Sequence, residues 1–214
     1  MQENGSFRRG HTNPSKRKAQ KIDRSNLKVI KRSNKVVQAY DLPVIANLNP
    51  RSIYNKSDEF CTFVEQQEID VVFMSETWER NNKSLKEIID LQDFEIVSKV
   101  CQRKGGGGRS AVFVNKLKFE VKDLTNTVIQ VPWGVEAVWC LLTPKNRLPG
   151  SEVKKIACCA LYVKPGSRKK TILLDHVAEA YNVLCTKYGQ NLDLVLAGDT
   201  NGLKLAPILS LDQR

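Results

Sequence analysis

Acidic and amide side chains follow three short apolar runs of this sequence, each where a strand is expected to end. Asn49, Glu76, and the pair Asp199 and Asn201 come just after such runs. In α/β sheets the crevice beyond the carboxyl ends of the strands is the usual place for a site. Two carboxylates and two amides gathered there suit a hard cation, and Mg²⁺ is the natural candidate because it prefers oxygen ligands together with substrate phosphate. Taken singly, a strand-end Asn or Asp more often makes a turn or a helix cap; the three exits together favour a site.

The elements that must position these residues are short strands that alternate with helical stretches. Apolar runs of strand length predict strands at 42–48, 71–74, 94–100, 110–114, 135–142, 156–163 and 192–197. Helices are predicted from Ser57, expected as an N-cap, to about Gln67, and along the stripe that ends at Tyr188. So many strands exceed what one doubly wound sheet needs. We therefore expect an α/β fold, a layered α/β/β/α sandwich with two packed mixed sheets.

The positive charge of the chain is concentrated at its N-terminus. The 214 residues carry a net charge of +11, and residues 1–40 hold 11 basic side chains against two acidic ones, while the remainder holds 23 against 21. Residues 1–38 lack an apolar period and predict a disordered basic tail, ahead of one domain at 39–214. The tail's basic residues suit phosphate binding, a nuclear address or a solvated linker, so the charge says nothing about the function of the body.

Cysteine usage argues against a zinc site and against secretion. The six cysteines show no CxxC spacing, and the chain has two histidines. Most of the cysteines lie among apolar neighbours, which suits free thiols in a reducing compartment, and no secretory segment precedes the body. We expect an intracellular, nuclear protein with no membrane span.

Six short motifs occur in a fixed order along the body. They are NPRSIYNK at 49–56, SETW at 75–78, four glycines at 105–108, EAVW at 136–139, LYVKP at 161–165 and GDTN at 198–201. In order and spacing they resemble the endonuclease-exonuclease-phosphatase superfamily over roughly residues 40–214. The first two motifs resemble in particular the apurinic-type endonuclease domain of non-long-terminal-repeat retrotransposons.

The resemblance implies an activity and a role for each site residue. It implies Mg²⁺-dependent attack of water on a DNA phosphodiester, with Mn²⁺ as a substitute, leaving a 3′-hydroxyl that a downstream reverse transcriptase could extend. Glu76 and Asn49 resemble the residues at the metal, and Tyr162 resembles the hydroxyl that touches the scissile phosphate. Asp199 resembles the acid that orients the nucleophile, and Asn201 a phosphate donor.

The expected DNA contacts are basic residues near these motifs. They are Arg51, Lys56, Arg103, Lys104 and Arg109. For the first two, a loop or helix-cap role stays open beside the phosphate contact. The glycine run at 105–108 opens a strand rather than a helix, so it predicts a hairpin loop and not a Walker A phosphate loop. Trp78, Trp133 and Trp139 are expected to pack in the core, and for Trp78 stacking on a base stays open.

The sequence departs from the family at its end. Family members finish the domain with further strands and a Ser-Asp-His element, and nothing of that kind follows Asn201. His11 lies in the tail and His176 is expected on a helix face, so neither can take that role. We therefore expect a C-terminally truncated domain whose last strands are missing and which is inactive alone.

Two other functions stay open at this point. One is a non-catalytic nucleic-acid-binding remnant that uses the basic tail. The other is a phosphoinositide or sphingolipid phosphodiesterase of the same superfamily, against which the motifs at 49–56 and 75–78 argue.

Overall fold

The computed structural model describes residues 28–30, 42–79, 83–98, 108–146, 154–166, 170–189 and 192–201. Strands and short connections make up most of this part of the chain. Its strands are β1 (Lys28–Ile30), β2 (Ile45–Leu48), β3 (Val71–Met74), β4 (Phe94–Ser98), β5 (Ala111–Asn115), β6 (Phe119–Asp123), β7 (Glu136–Pro144), β8 (Lys155–Tyr162) and β9 (Leu192–Asp199). Its helices are α1 (Ser57–Gln66), α2 (Leu85–Ile88) and α3 (Lys170–Tyr188).

The first sheet has the strand order β1-β2-β3-β5-β4. Strands β2 and β3 are parallel, and the other neighbours are antiparallel. All four residues of β3 are buried, because this central strand is covered on both faces. The register pairs Leu48 with Met74, so the carboxyl ends of β2 and β3 lie level with each other.

The second sheet has the strand order β6-β7-β8-β9. Strand β7 is antiparallel to β6 and to β8, whereas β8 and β9 are parallel. The start of β7 therefore lies beside the carboxyl ends of β8 and β9. The register makes this explicit, because Glu136 pairs with Tyr162 and Tyr162 pairs with Asp199.

Three apolar clusters define the layers. The cluster between the two sheets takes side chains from both of them, among them Val71, Phe73, Val112, Val138, Cys140 and Cys158. A second cluster packs Phe60 and Val64 of α1 on the outer face of the first sheet. A third packs α3 on the outer face of the second sheet, through Leu173, Val177 and Leu184. The expected α/β/β/α sandwich of two mixed sheets is confirmed.

The predicted strands are present, and their ends differ from the prediction by no more than three residues where the structure describes them. Three elements were not predicted, strand β1 among them. Strand β6 buries Phe119 and exposes its charged residues, so it lacks an apolar run. Helix α2 is a single turn, in which the Glu87 carboxylate accepts a hydrogen bond from the amide of Ser84 at 2.8 Å.

Two details of the N-terminal half differ from the expectations from sequence. Residues 28–30 fall within the stretch expected to be disordered, but their backbone pairs antiparallel with β2. Pairing along an open sheet edge needs only backbone hydrogen bonds, so it requires no apolar period in the sequence. The rest of the tail lies outside the described residues. Lys56, not Ser57, occupies the N-cap of α1, and the Ser57 hydroxyl faces Asp58 instead.

The described cysteines agree with the expectation of free thiols. Five of them are free, and Cys140, Cys158 and Cys159 are buried. Burial and a hydrogen bond to Cys158 raise the pKa of the Cys140 thiol, the hydrogen bond being the larger cause. None of the described helices has the length and apolar content needed to cross a bilayer.

Candidate active site

The first sheet places Asn49 and Glu76 at the edge of the sandwich where β2 and β3 end. We call this edge the rim. Asn49 directly follows β2, and the amide of Ser75 continues the pairing by donating to the Leu48 carbonyl at 3.0 Å. Glu76 comes one residue later, where the backbone takes a left-handed conformation with φ 53°. The parallel pairing of β2 and β3 is therefore what places both residues at the same edge, as the sequence predicted.

The backbone of Glu76 is held from two sides. Its carbonyl accepts the amide of Ser52 at 2.9 Å, and the Thr77 carbonyl accepts the amide of Ile53 at 3.2 Å. On the other side, the amides of Thr77 and Trp78 donate to the carbonyls of Arg109 and Gly108, each at 3.2 Å. The loop after β2 and the turn before β5 therefore fix the exit of β3.

The second sheet contributes three residues to the same rim. Glu136, Tyr162 and Asp199 stand side by side on β7, β8 and β9, because each is the Cα partner of the next. Glu136 begins its strand, whereas the other two end theirs.

Direct hydrogen bonds join the two sheets at this rim. The side-chain amide of Asn49 donates to Oδ2 of Asp199 at 2.8 Å, across 150 positions of sequence. Further back along the same two strands, the amide of Asn47 donates to the Gly198 carbonyl at 3.3 Å. The convergence of Asn49 and Asp199 predicted from the strand exits is therefore present.

Both members of this pair are oriented by further bonds. Oδ1 of Asn49 accepts the amide of Arg51 at 3.0 Å, and Oδ1 of Asp199 accepts the amide of Asn201 at 3.1 Å. The side-chain amide of Asn201 donates to the Val163 carbonyl at 2.7 Å. Asn201 therefore lies in contact with the predicted site and supports Asp199 through its own backbone.

Tyr162 is the hydroxyl of the site. Burial, a hydrogen bond to the Glu76 carboxylate and the nearby negative charges of Glu76, Glu136 and Asp199 raise its pKa well above the ordinary value, burial being the largest cause. The phenol therefore keeps its proton and can donate a hydrogen bond to an anionic group.

Backbone strain is concentrated at this rim. Among the described non-glycine residues, eight have a positive φ angle, and six of these adjoin the site: Arg51, Ser52, Glu76, Trp78, Arg109 and Asn201. Left-handed conformations of such residues cost of order 1 kcal/mol or more each and persist where the surroundings over-determine them. This rim is the most tightly constrained part of the described backbone.

The donor set fits a hard divalent cation assisted by phosphate. The described residues contain no group of three or more His, Cys, Asp or Glu that could hold a metal without help. The rim offers the Glu76 carboxylate and the Asn49 amide, beside the doubly hydrogen-bonded Asp199. Mg²⁺ is commonly held by one or two carboxylates with water and substrate phosphate, so these residues fit the predicted ion.

The structure describes three of the five residues predicted to contact DNA. Arg51 is exposed beside Asn49, and the Lys56 ammonium contacts the Pro50 carbonyl. Arg109 is half-buried at the turn before β5. Arg103 and Lys104 lie outside the described residues, as do residues 105–107 of the glycine run.

Sequence reasoning missed two features of the rim. Glu136 was interpreted only as part of a family motif, and the cross-strand neighbour that gives it a place in the site is 26 residues away. Core packing is confirmed for Trp139, which is fully buried, but is wrong for Trp78 and Trp133, which are 43% and 88% exposed. Trp133 stands in a tight turn closed by a 3.1 Å bond from the Val135 amide to the Pro132 carbonyl, so the apolar neighbours in sequence do not cover it.

His176 lies elsewhere. It is buried on the inner face of α3, where its Nε2 accepts the indole N–H of Trp139 at 3.1 Å. The two rings meet edge to face with centroids 5.9 Å apart. His176 is thus a packing residue on a helix face, as expected, and no described histidine lies at the rim.

The sequence matches no protein-family model and no curated protein. Among solved structures, the fold is that of the endonuclease/exonuclease/phosphatase proteins. An AP endonuclease, LMAP from Leishmania major, aligns with a TM-score of 0.52 at 15% identity, over 72% of this chain and 54% of that one. An endonuclease/exonuclease/phosphatase family protein from Bacteroides thetaiotaomicron gives 0.51 at 17% identity, over 73% and 60%. A third, from Bacteroides vulgatus, gives 0.50 at 16% identity, over 79% and 70%.

This chain therefore spans between 54% and 70% of the length of these three structures. Similarity at this level establishes the fold alone.

Proposed function

We propose that this chain is a Mg²⁺-dependent phosphodiesterase that cleaves DNA, from the endonuclease of a retroelement. The observation that carries the proposal is the junction of the two sheets, where Asn49 bonds to Asp199 and the Tyr162 hydroxyl faces Glu76. Three side chains predicted from distant strand exits thereby meet at one rim with Tyr162, which the motif resemblance predicted. Residues that only made local turns or helix caps would have no reason to meet at one edge of the two sheets.

In this proposal the cation is held by Glu76, with Asn49 beside it. When bound, a divalent cation neutralises charge on a phosphate oxygen as a Lewis acid. The hydrogen bond from Asn49 to Asp199 fixes the amide next to the carboxylate that orients the attacking water. Because the backbone of Glu76 is bonded on both sides, its carboxylate needs little reorganisation when substrate binds.

The remaining roles follow from hydrogen-bonding capacity. Tyr162, kept neutral by its surroundings, donates to an oxygen of the scissile phosphate. Asn201 holds Asp199 through its backbone amide and lies close enough to the rim to meet a phosphate oxygen. Fixed donors of this kind stabilise the charge that develops in the transition state.

Exposed aromatic side chains favour nucleic acid over a lipid phosphodiester. Trp78 comes two residues after Glu76, and Trp133 precedes Glu136 by three, so both indoles are carried by segments at the rim. Stacking of a base on an aromatic face contributes about 1–3 kcal/mol and tolerates any sequence. The motifs at 49–56 and 75–78 support the retroelement branch, with a reverse transcriptase as partner and a nuclear location.

The test is nicking of supercoiled plasmid by the full chain. We expect relaxed circles with Mg²⁺ and none with EDTA, and we expect Glu76→Gln to lower the rate by at least about 10²-fold because the anionic ligand is lost. No described histidine can act as a base at the rim, and a general base contributes about 10²–10⁴-fold. We therefore expect a low rate in place of the complete inactivity expected from the sequence, because the predicted rim residues are assembled, and long incubations are needed.

The control is Glu120→Gln, which removes an exposed carboxylate from β6 outside the site. It should nick like the unmodified chain. Nicking that survives in Glu76→Gln, or no Mg²⁺-dependent nicking by the parent at any enzyme concentration, contradicts the proposed function.

A further inference from the structure

We propose that Glu136 is a positioning residue, whose carboxylate fixes the turn at 108–109 and, through it, the backbone that carries Glu76. Its importance for catalysis rests on the proposed function, because it assumes that Glu76 acts in the reaction. The positioning itself is a property of the fold and can be measured without any activity.

The first contact is between the carboxylate and the turn. Oε2 of Glu136 accepts the amide of Arg109 at 2.9 Å. A Cβ atom placed on Gly108 would lie 2.5 Å from the same oxygen, so the carboxylate occupies the space that a side chain at this position would need. Gly108 and Arg109 are consecutive left-handed residues, with φ 81° and 73°. Glycine adopts this conformation freely, but Arg109 is strained there and needs a partner that over-determines it. A charged acceptor on its amide is such a partner.

The second contact is between the turn and the exit of β3. Both carbonyls of the turn are occupied, since Gly108 accepts the amide of Trp78 and Arg109 accepts the amide of Thr77. Glu76 directly precedes these two residues and is itself left-handed. The hydrogen bonds therefore run without a break from Glu136 on the second sheet to the residue beside Glu76 on the first.

The side chain of Glu136 links the two sheets, so its length matters. It begins β7 opposite Tyr162, so its Cα belongs to the second sheet, while the turn it binds belongs to the first. Gln has an oxygen at the same distance from the backbone as Glu but no charge. Asp keeps the charge but is shorter by one methylene, about 1.5 Å. Glu136→Gln therefore tests the charge of the side chain, and Glu136→Asp tests its length.

The experiment measures amide hydrogen exchange of the full chain in EDTA for Glu136→Gln and Glu136→Asp. A hydrogen bond to a carboxylate typically contributes enough to slow exchange by about 10- to 100-fold. We expect the amides of Thr77, Trp78 and Arg109 to exchange faster by about that factor in Glu136→Asp. In Glu136→Gln they should stay within about fivefold of the parent, because the acceptor remains. Glu120→Gln and Glu120→Asp are the matched controls and should change nothing at these amides.

Nicking kinetics give the second readout. We expect Glu136→Asp to lower kcat with KM unchanged and Glu136→Gln to restore it, because positioning acts on the reacting geometry and not on DNA binding. Equal exchange in all the variants, or loss of kcat in Glu136→Gln as deep as in Glu136→Asp, overturns the proposal. A parent that never nicks would refute the proposed function, yet the exchange data would still decide whether Glu136 holds the turn.

Discussion

The chemistry of Tyr162 is set by side chains that are distant from it in sequence. Burial and three carboxylates, Glu76, Glu136 and Asp199, all disfavour the phenolate. Two of these acids are its cross-strand neighbours, and the third arrives from the other sheet. At the rim, negative charges are therefore held close together. A bound cation or a donated hydrogen bond stabilises them.

The raised pKa of Tyr162 gives a pH prediction with a definite sign. Its folded-state pKa lies above the ordinary value of 10.0, so the folded state binds the proton more tightly than the unfolded chain. The stability linked to this group is fully present below pH 10 and is lost as the pH rises further. Without divalent cations, we expect one of the five tyrosines to resist deprotonation at pH 10–11 in a 295 nm titration.

The matched variant is Tyr162→Phe. It should lack the late-titrating tyrosine and should lose less stability between pH 9 and pH 11 than the parent. If the parent and the variant differ only by a tyrosine that titrates near pH 10, the assignment of Tyr162 as the neutral donor fails.

The close approach of β9 to β8 requires glycine at position 198. Gly198 has φ 139°, and a Cβ atom there would lie 1.9 Å from the Leu161 carbonyl oxygen of β8. The obstacle is backbone in a paired strand, so it cannot rotate away. Glycine at this position lets β9 approach β8 and places Asp199 beside Tyr162.

We expect Gly198→Ala to lower the free energy of unfolding by about 3 kcal/mol or more, from steric overlap together with backbone strain. Gly189→Ala is the control, since Gly189 also has a positive φ, 83°, but a Cβ atom added there would meet nothing within 4 Å. That change should cost only about 1–2 kcal/mol. Urea unfolding monitored by circular dichroism gives both values. Equal losses at the two positions would show that the close approach of β8 and β9 does not limit stability.

At the scale of the whole molecule, two sheets present their strand ends at one rim while most of the positive charge lies ahead of the body. Residues 1–27 carry seven of the eleven basic side chains found in residues 1–40. Lys28 begins β1, which pairs with β2, so a deletion that respects the fold stops before it. The tail and the rim can therefore be tested separately.

We expect deletion of residues 1–27 to weaken DNA binding and to reduce its salt dependence. Each lost phosphate contact lowers the slope of log affinity against log salt by about 0.9. Mg²⁺-dependent nicking at saturating enzyme should persist, because the rim is intact. Fluorescence anisotropy with labelled duplex between 50 and 200 mM salt measures the slope. An unchanged slope would show that the tail does not contact DNA, and complete loss of nicking would favour a chain whose nucleic-acid function resides in the tail.

The sequence by itself determined the fold class and the members of the rim that stand at the ends of apolar runs. Asn49, Glu76, Asp199 and Asn201 were found because apolar runs mark strands and the residue after a run is held by the strand behind it. Tyr162 came from a motif resemblance, and the structure places it with the others.

Only the tertiary structure decided which side chains touch across the sheets. The bond from Asn49 to Asp199, the place of Glu136 and the exposure of Trp78 and Trp133 depend on strand register and on turn geometry. Neither property leaves a local pattern in the chain, because a register is a relation between segments and a turn can lift an apolar residue out of the core. The same reason applies to β1, whose register with β2 is also a relation between distant segments.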